Sequence, residues 1–170
     1  MRVLFVCAEN ICRSPMAEMV AQSWRGIPGP GGFAGHRFSS AGIRCGMPRA
    51  PIDPRARDSL QRRGYAIARH RARAVSVADL DRHDLLVAMD GACLAALRSM
   101  ARPHQTHKLS LLLDWVPGLE GQDVPDPYFG PAQGFDAVLD LCERGVGGLF
   151  ARALAPGSPP PSNRGGAPVV

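Results

Sequence analysis

Four short apolar runs punctuate the chain: Arg2–Val6, one near Gly35–Ser40, Asp84–Ala88, and one around Lys108–Leu112. Stretches of helical character separate them. Strands that alternate with helices are joined by crossovers, and crossovers make neighbouring strands parallel. The alternation therefore predicts an α/β fold, an open four-stranded parallel sheet with helices on both faces. Ligands of such sheets bind beyond the carboxyl ends of the strands. Cys7 directly follows the first run and stands at that edge.

The helical stretches carry their own signals. Met16, Met19, Val20 and Trp24 recur at helical spacing, with Ser14 as the expected N-cap and Pro15 at the first helical position. Pro54–Arg63 reads as a short helix stopped at Gly64, and Gly91–Ala101 and Gly134–Leu154 as longer ones. Gly26–Gly32 reads as a flexible loop, and residues 155–170, rich in Pro, Gly and Ser, as a disordered tail behind one domain of residues 1–154. A chain of 170 residues can bury a real core without disulfide or metal staples.

Composition narrows the class further. No apolar stretch approaches membrane-spanning length, and the first strand starts too soon for a signal peptide, so membrane insertion is not expected and a cytoplasmic location is. The cysteines are Cys7, Cys12, Cys45, Cys93 and Cys142, an odd count that argues against a disulfide framework. No Cys/His group has the spacing of a structural zinc site, so no metal and no cofactor is expected, and His104 and His107 read as surface residues. The net charge of +5 rests on arginine, with Lys108 the sole lysine and Arg55, Arg57, Arg62, Arg63, Arg69, Arg71 and Arg73 crowded together. A basic patch of this kind could attract an anionic partner, or arginine could simply stand in for lysine on solvated faces. With no aromatic interleaving or nucleic-acid motif alongside, nucleic acid is not expected as a partner.

The segment Cys7-Ala8-Glu9-Asn10-Ile11-Cys12-Arg13-Ser14-Pro15 joins the first strand to the first helix. A strand–loop–helix turn offers successive backbone N–H groups at a helix N-terminus, a cradle for phosphate oxygens. A thiol at its start faces a positive field that favours the nucleophilic thiolate. Arg13, six residues on, can fold back as a bidentate phosphate clamp, and Ser14 can donate its hydroxyl to the sulfur. Taken alone, Cys7 could equally be a small buried hydrophobe at a strand end. A Cys–Arg pair at this spacing is weak evidence in so arginine-rich a chain.

The loop resembles the signature of low-molecular-weight protein tyrosine phosphatases, Cys-x-Gly-Asn-x-Cys-Arg-Ser. The resemblance extends to Ser40-Ala41-Gly42 after the second strand, His70-Arg71-Ala72-Arg73 before the third, Met89-Asp90 after it, and Asp126-Pro127-Tyr128. It implies a flavodoxin-like three-layer sandwich and hydrolysis of phosphotyrosine or aryl phosphate monoesters through a phosphocysteine on Cys7. Arg13 would bind the phosphate, the loop residues 8–12 and Ser14 would cradle it, and Asp126 would be the general acid. Asn10 would adopt a left-handed conformation, its side chain tied to Ser40 and His70; without the resemblance these two read as a turn residue and a surface histidine. Tyr128 and Phe129 would wall a flat phosphoaryl group. Cys12 is either a partner for a protective disulfide with Cys7 or a buried thiol supporting the loop. The implied partner is a tyrosine-phosphorylated protein, with a bacterial tyrosine kinase among the candidates.

Two residues depart from the pattern. Glu9 replaces the usual glycine and brings a carboxylate close to a phosphate site, which predicts weakened activity. Ile43-Arg44-Cys45-Gly46-Met47 lacks the rim aromatic of many relatives. Two other readings stand beside the phosphatase. An arsenate reductase would need a further pair of cysteines around the third strand and its following helix, where only Cys93 lies. A phosphoprotein-binding module silenced by Glu9 would keep the loop without turnover.

Overall fold

The computed structural model describes residues 1–25 and 35–153. The loop expected at Gly26–Gly32 and the tail expected at 155–170 lie outside the described residues. Strands β1 (Arg2–Cys7), β2 (Arg37–Gly42), β3 (Leu85–Ala88) and β4 (Leu109–Leu111) form one sheet of order β2-β1-β3-β4, every pair parallel. Five α-helices accompany it among the described residues: α1 (Arg13–Arg25), α2 (Pro54–Arg62), α3 (Val77–Arg82), α4 (Gly91–Met100) and α5 (Gln133–Arg152).

Side chains alternate across a strand, and β1 places Val3, Phe5 and Cys7 on one face and Leu4 and Val6 on the other. The first face packs against Met16, Met19 and Val20 of α1, Ala56 and Leu60 of α2, and Phe135, Val138, Leu139 and Cys142 of α5. The second packs against Leu80 of α3 and Leu94 and Leu97 of α4. This is the three-layer sandwich that the alternation predicts, with both faces of β1 dry. Each fully buried Leu or Phe in it contributes about 1.5–3 kcal/mol of transfer free energy. The fit at the α5 side is close. A Cβ on Gly148 would lie 2.0 Å from the Trp115 carbonyl oxygen, and one on Gly145 2.4 Å from Leu112 Cγ.

Several boundaries differ from the sequence reading. The second strand is Arg37–Gly42 rather than Gly35–Ser40, so Ser40, Ala41 and Gly42 end the strand instead of following it. Helix α1 starts at Arg13, which puts Ser14 inside its first turn rather than at its N-cap, because its hydroxyl serves Cys7. Helix α3 was not anticipated, although Asp79 accepts from both Ser76 N–H and Ser76 Oγ at 2.9 Å at its start. Within the arginine-rich stretch, Arg55, Arg62, Arg63 and Arg73 pair with Asp53, Asp136, Asp140 with Glu143, and Asp79 respectively. His104 and His107 are exposed.

Candidate active site

Strand β1 is paired on both sides and ends at Cys7, so the chain leaves the sheet at its centre. The loop that follows is clamped to its neighbours through the backbone. Ile43 N–H donates to Cys7 O and Arg44 N–H to Ala8 O, both at 2.9 Å, and Asp53 N–H donates to Ile11 O at 2.8 Å. Gly42 lies so close that a Cβ there would come within 2.9 Å of the Ala8 carbonyl oxygen and of the Glu9 carbonyl carbon. Only glycine lets the end of β2 support the loop from below.

Asn10 holds the loop's shape. It is fully buried with φ 59°, in the left-handed region that Asn tolerates better than most residues. Its Nδ2 donates to Ser14 Oγ at 3.0 Å and to Ser40 Oγ at 2.9 Å, and its Oδ1 accepts from Arg73 N–H at 3.1 Å. Ser40 thus takes the expected place. His70 does not: its Nε2 meets the Asn10 backbone carbonyl at 2.7 Å, because the side-chain oxygen is occupied by Arg73 N–H. Burial lowers the His70 pKa, with the bond to Asn10 opposing in part. Behind Ser40 stands Glu18, which accepts from Ser40 Oγ at 2.5 Å and whose carboxyl is pushed up by burial.

Cys7 Sγ accepts from Asn10 N–H at 3.3 Å and from Ser14 Oγ at 3.1 Å. Two donors therefore converge on one sulfur. Arg13, its side chain 4% exposed, donates from Nη1 to Asp90 Oδ2 at 2.6 Å and to Val124 O at 3.0 Å, and from Nη2 to Asp126 Oδ2 at 3.0 Å. Burial alone would raise the Asp90 carboxyl. The hydrogen bonds from Cys93 and then Arg13 outweigh it and hold that group below the usual carboxylate range. Cys12 is buried, and desolvation, reinforced by the negative charge of Asp53, keeps it a thiol far above its usual pKa.

These residues meet in one cavity of about 260 Å³. Cys7, Glu9, Ile11, Cys12, Arg13, Asp126, Tyr128 and Phe129 line it, all predicted, together with Arg44 and Met47, which were not. Ala8, Asn10 and Ser14 do not line it; Asn10 and Ser14 reach the Cys7 sulfur through their hydrogen bonds. Glu9 turns its carboxylate to the neighbouring loop, accepting from Arg44 Nε at 3.0 Å and Gly46 N–H at 2.6 Å. Met47, half exposed, takes the rim position where no aromatic is available. Phe129 is 98% exposed and meets Tyr128 edge-on at 5.0 Å, so the aromatic wall is formed by one loop alone.

Sequence reasoning gave no role to Asp90, Arg55 or Arg73: Asp90 and Arg73 stand in motifs of the resemblance, but their bonds to Arg13 and Asn10, and that of Arg55 to the Tyr128 carbonyl, join distant parts of the chain. Cys93 is buried at the start of α4, its N–H on Asp90 Oδ1 at 2.7 Å, with its thiol pushed up by desolvation; it has no second cysteine to pair with in a shuttle. Among the described residues no group of His, Cys, Asp and Glu could hold a metal ion, and no helix is long and apolar enough to cross a membrane.

Comparisons with known proteins agree with this geometry. The family model described as low molecular weight phosphotyrosine protein phosphatase matches residues 2–156. The low molecular weight protein-tyrosine-phosphatase YfkJ of Bacillus subtilis is 39% identical over 150 residues, 88% of this chain and 93% of the relative. A low molecular weight protein-tyrosine-phosphatase of Streptomyces coelicolor is 39% identical over 153 residues, 88% and 92% of the two chains. The crystal structure of YfkJ superposes with a TM-score of 0.81 at 37% identity, over 89% of this chain and 92% of that one. With the loop, the sheet and the sequence match in accord over most of its length, the chain belongs to the low molecular weight phosphotyrosine protein phosphatase family.

Proposed function

We propose that this protein hydrolyses phosphotyrosine or aryl phosphate monoesters through a phosphocysteine intermediate on Cys7. The observation that carries the reading is the shared cavity: a doubly hydrogen-bonded Cys7 sulfur, the Arg13 guanidinium and the Asp126 carboxyl line the same 260 Å³. In the first step the Cys7 thiolate attacks phosphorus, the ester P–O bond breaks, and the leaving aryloxide takes a proton from Asp126. In the second a water gives its proton to Asp126 and attacks phosphorus. The P–S bond breaks, releasing inorganic phosphate and restoring the thiolate. Arg13 and the loop N–H groups hold the equatorial oxygens in both steps.

The cytoplasm is the proposed site of action, with a tyrosine-phosphorylated protein as substrate and a bacterial tyrosine kinase among the candidates. One domain spanning residues 1–154 carries the activity, and no cofactor is needed. The decisive experiment is Cys7→Ser assayed on an aryl phosphate, with phosphotyrosine, phosphothreonine and phosphoarginine peptides alongside the wild type. The variant should bind phosphate and lose turnover, since an unactivated hydroxyl is a poor nucleophile. Retention of a tenth of the wild-type rate would refute the assignment. Absence of turnover in the wild type would favour a binding module.

A further inference from the structure

Asp126 lies on a segment without regular secondary structure, and its side chain is 50% exposed. Its place is therefore set by whatever fixes the backbone on either side. Upstream, Val124 N–H donates to Met89 O at 2.8 Å and Val124 O accepts from Arg13 Nη1 at 3.0 Å. Downstream, Tyr128 N–H donates to Asp126 Oδ1 at 3.1 Å, which makes Asp126–Tyr128 one tight turn. The Tyr128 carbonyl then accepts from Arg55 Nη1 at 3.0 Å, with the Gly130 carbonyl at 3.5 Å from the same nitrogen.

Arg55 is itself immobilised. Its Nε and Nη2 engage both oxygens of Asp53 at 3.1 and 2.8 Å, and its guanidinium stacks 4.6 Å from the Phe135 ring centroid and 5.5 Å from that of Tyr128. Asp53 caps α2 through Arg55 N–H at 2.8 Å, and its own N–H donates to Ile11 O at 2.8 Å. Burial would raise the Asp53 carboxyl, and the Arg55 bonds overcome it and hold the group low, in its charged form.

We propose that Arg55 is a positioning residue of the reaction, a strut that carries the location of the nucleophile loop through Asp53 to the Tyr128 carbonyl and so fixes Asp126 relative to Cys7. The inference rests on Asp126 being the general acid. An exposed ion pair by itself contributes little. Here a planar fork spans a carboxylate on one side and a backbone carbonyl on the other, which a lysine ammonium cannot do. Loss of the strut acts on the proton transfer and leaves the phosphate cradle alone. A displacement of about an ångström at a reacting group costs up to about 100-fold.

The test is kcat/KM across aryl phosphates of graded leaving-group acidity, for wild type, Asp126→Asn, Arg55→Ala, Arg55→Lys and the Asp126→Asn/Arg55→Ala double variant, with inorganic phosphate inhibition measured for each. Arg55→Ala should lose about 10- to 100-fold on the poorest leaving group and under about threefold on the most activated, with phosphate inhibition held within about twofold. In the Asp126→Asn background Arg55→Ala should cost nothing further. Arg55→Lys should tilt the series the same way, and it serves if Arg55→Ala does not fold. An even loss across the series, or an undiminished loss in the double variant, overturns the role of Arg55. If Asp126→Asn tilts the series while the Arg55 variants stay flat, only this inference falls. If Asp126→Asn does not tilt it, the acid assignment falls and the strut with it.

Discussion

Removing the Asn10 side chain tests how the nucleophile loop keeps its shape. Three hydrogen bonds leave with it, those to Ser14 and Ser40 buried and that from Arg73 part-buried. At about 1 kcal/mol net for each, Asn10→Gly should destabilise the protein by roughly 3 kcal/mol. Asn10→Ala loses the same bonds and also forces a side chain other than Asn into φ 59°. That strain is about 1–2 kcal/mol, against about 0.4–1 kcal/mol recovered from the less flexible unfolded chain. Asn10→Ala should therefore be less stable than Asn10→Gly by about 1 kcal/mol, the reverse of the order seen in helix interiors. Urea unfolding followed by tryptophan fluorescence reads both, since Trp115 is buried. With a slope of about 2 kcal/mol per molar, Asn10→Gly should move the midpoint down by about 1.5 M. Midpoints for both variants within about 0.3 M of wild type, or a glycine variant weaker than the alanine one, would refute the reasoning. Turnover should fall in both, because Ser14 loses the donor that orients its hydroxyl toward Cys7.

Three further outcomes are expected. Glu9→Gln keeps the side-chain size and removes a charge that Arg44 partly offsets. It should tighten inorganic phosphate inhibition by no more than about threefold at low ionic strength, with the effect gone at high salt. Peroxide should inactivate the wild type reversibly through a Cys7–Cys12 disulfide visible by peptide mapping, and Cys12→Ser should recover less activity with thiol, because sulfenic acid then proceeds to irreversible forms. Unchanged recovery would leave Cys12 a purely structural thiol. The Asp90 carboxyl is depressed in the folded state, so its contribution is complete above the unfolded value near about 4 and is lost as pH falls through its lowered folded value. Asp90→Asn should therefore be destabilised at pH 7, with the gap to wild type closing below about pH 4 in urea titrations.

What the sequence made legible was what local pattern controls. The alternation of apolar runs carried the sheet, and the order of short motifs carried the loop, the place of Asp126 at the cavity and the supporting serine. What stayed hidden depends on partners far along the chain. Ser14 reads both as an N-cap and as a donor to the sulfur; the donation is present, while the helix starts one residue earlier and the Ser14 oxygen also accepts from an asparagine four residues back. His70 was placed near Asn10 but on the wrong atom, because nothing local shows that Arg73 N–H occupies the side-chain oxygen first. Asp90 stands in a motif of the resemblance without a role of its own, and Arg55 is one of a crowd of arginines. Their roles come from pairings 77 and 73 residues away. The Glu9 carboxylate was expected close to the phosphate site, and its capture by Arg44 and Gly46 needs the turn of the 43–46 segment, which no periodicity encodes.

The central position of β1 gives the two halves of the site different clocks. The loop after Cys7 hangs from a strand paired on both sides, and its carbonyls accept further backbone bonds from Ile43, Arg44 and Asp53, so those donating amides can exchange with solvent only when much of the domain opens. The acid segment has no sheet partner of that kind and is held mainly by side chains of two arginines. It can open locally at a small fraction of the global free energy. Hydrogen exchange should therefore report slow amides at Ile43, Arg44 and Asp53 and fast ones at residues 126–130. The fast half can therefore move while the sulfur and the loop around it stay as folded.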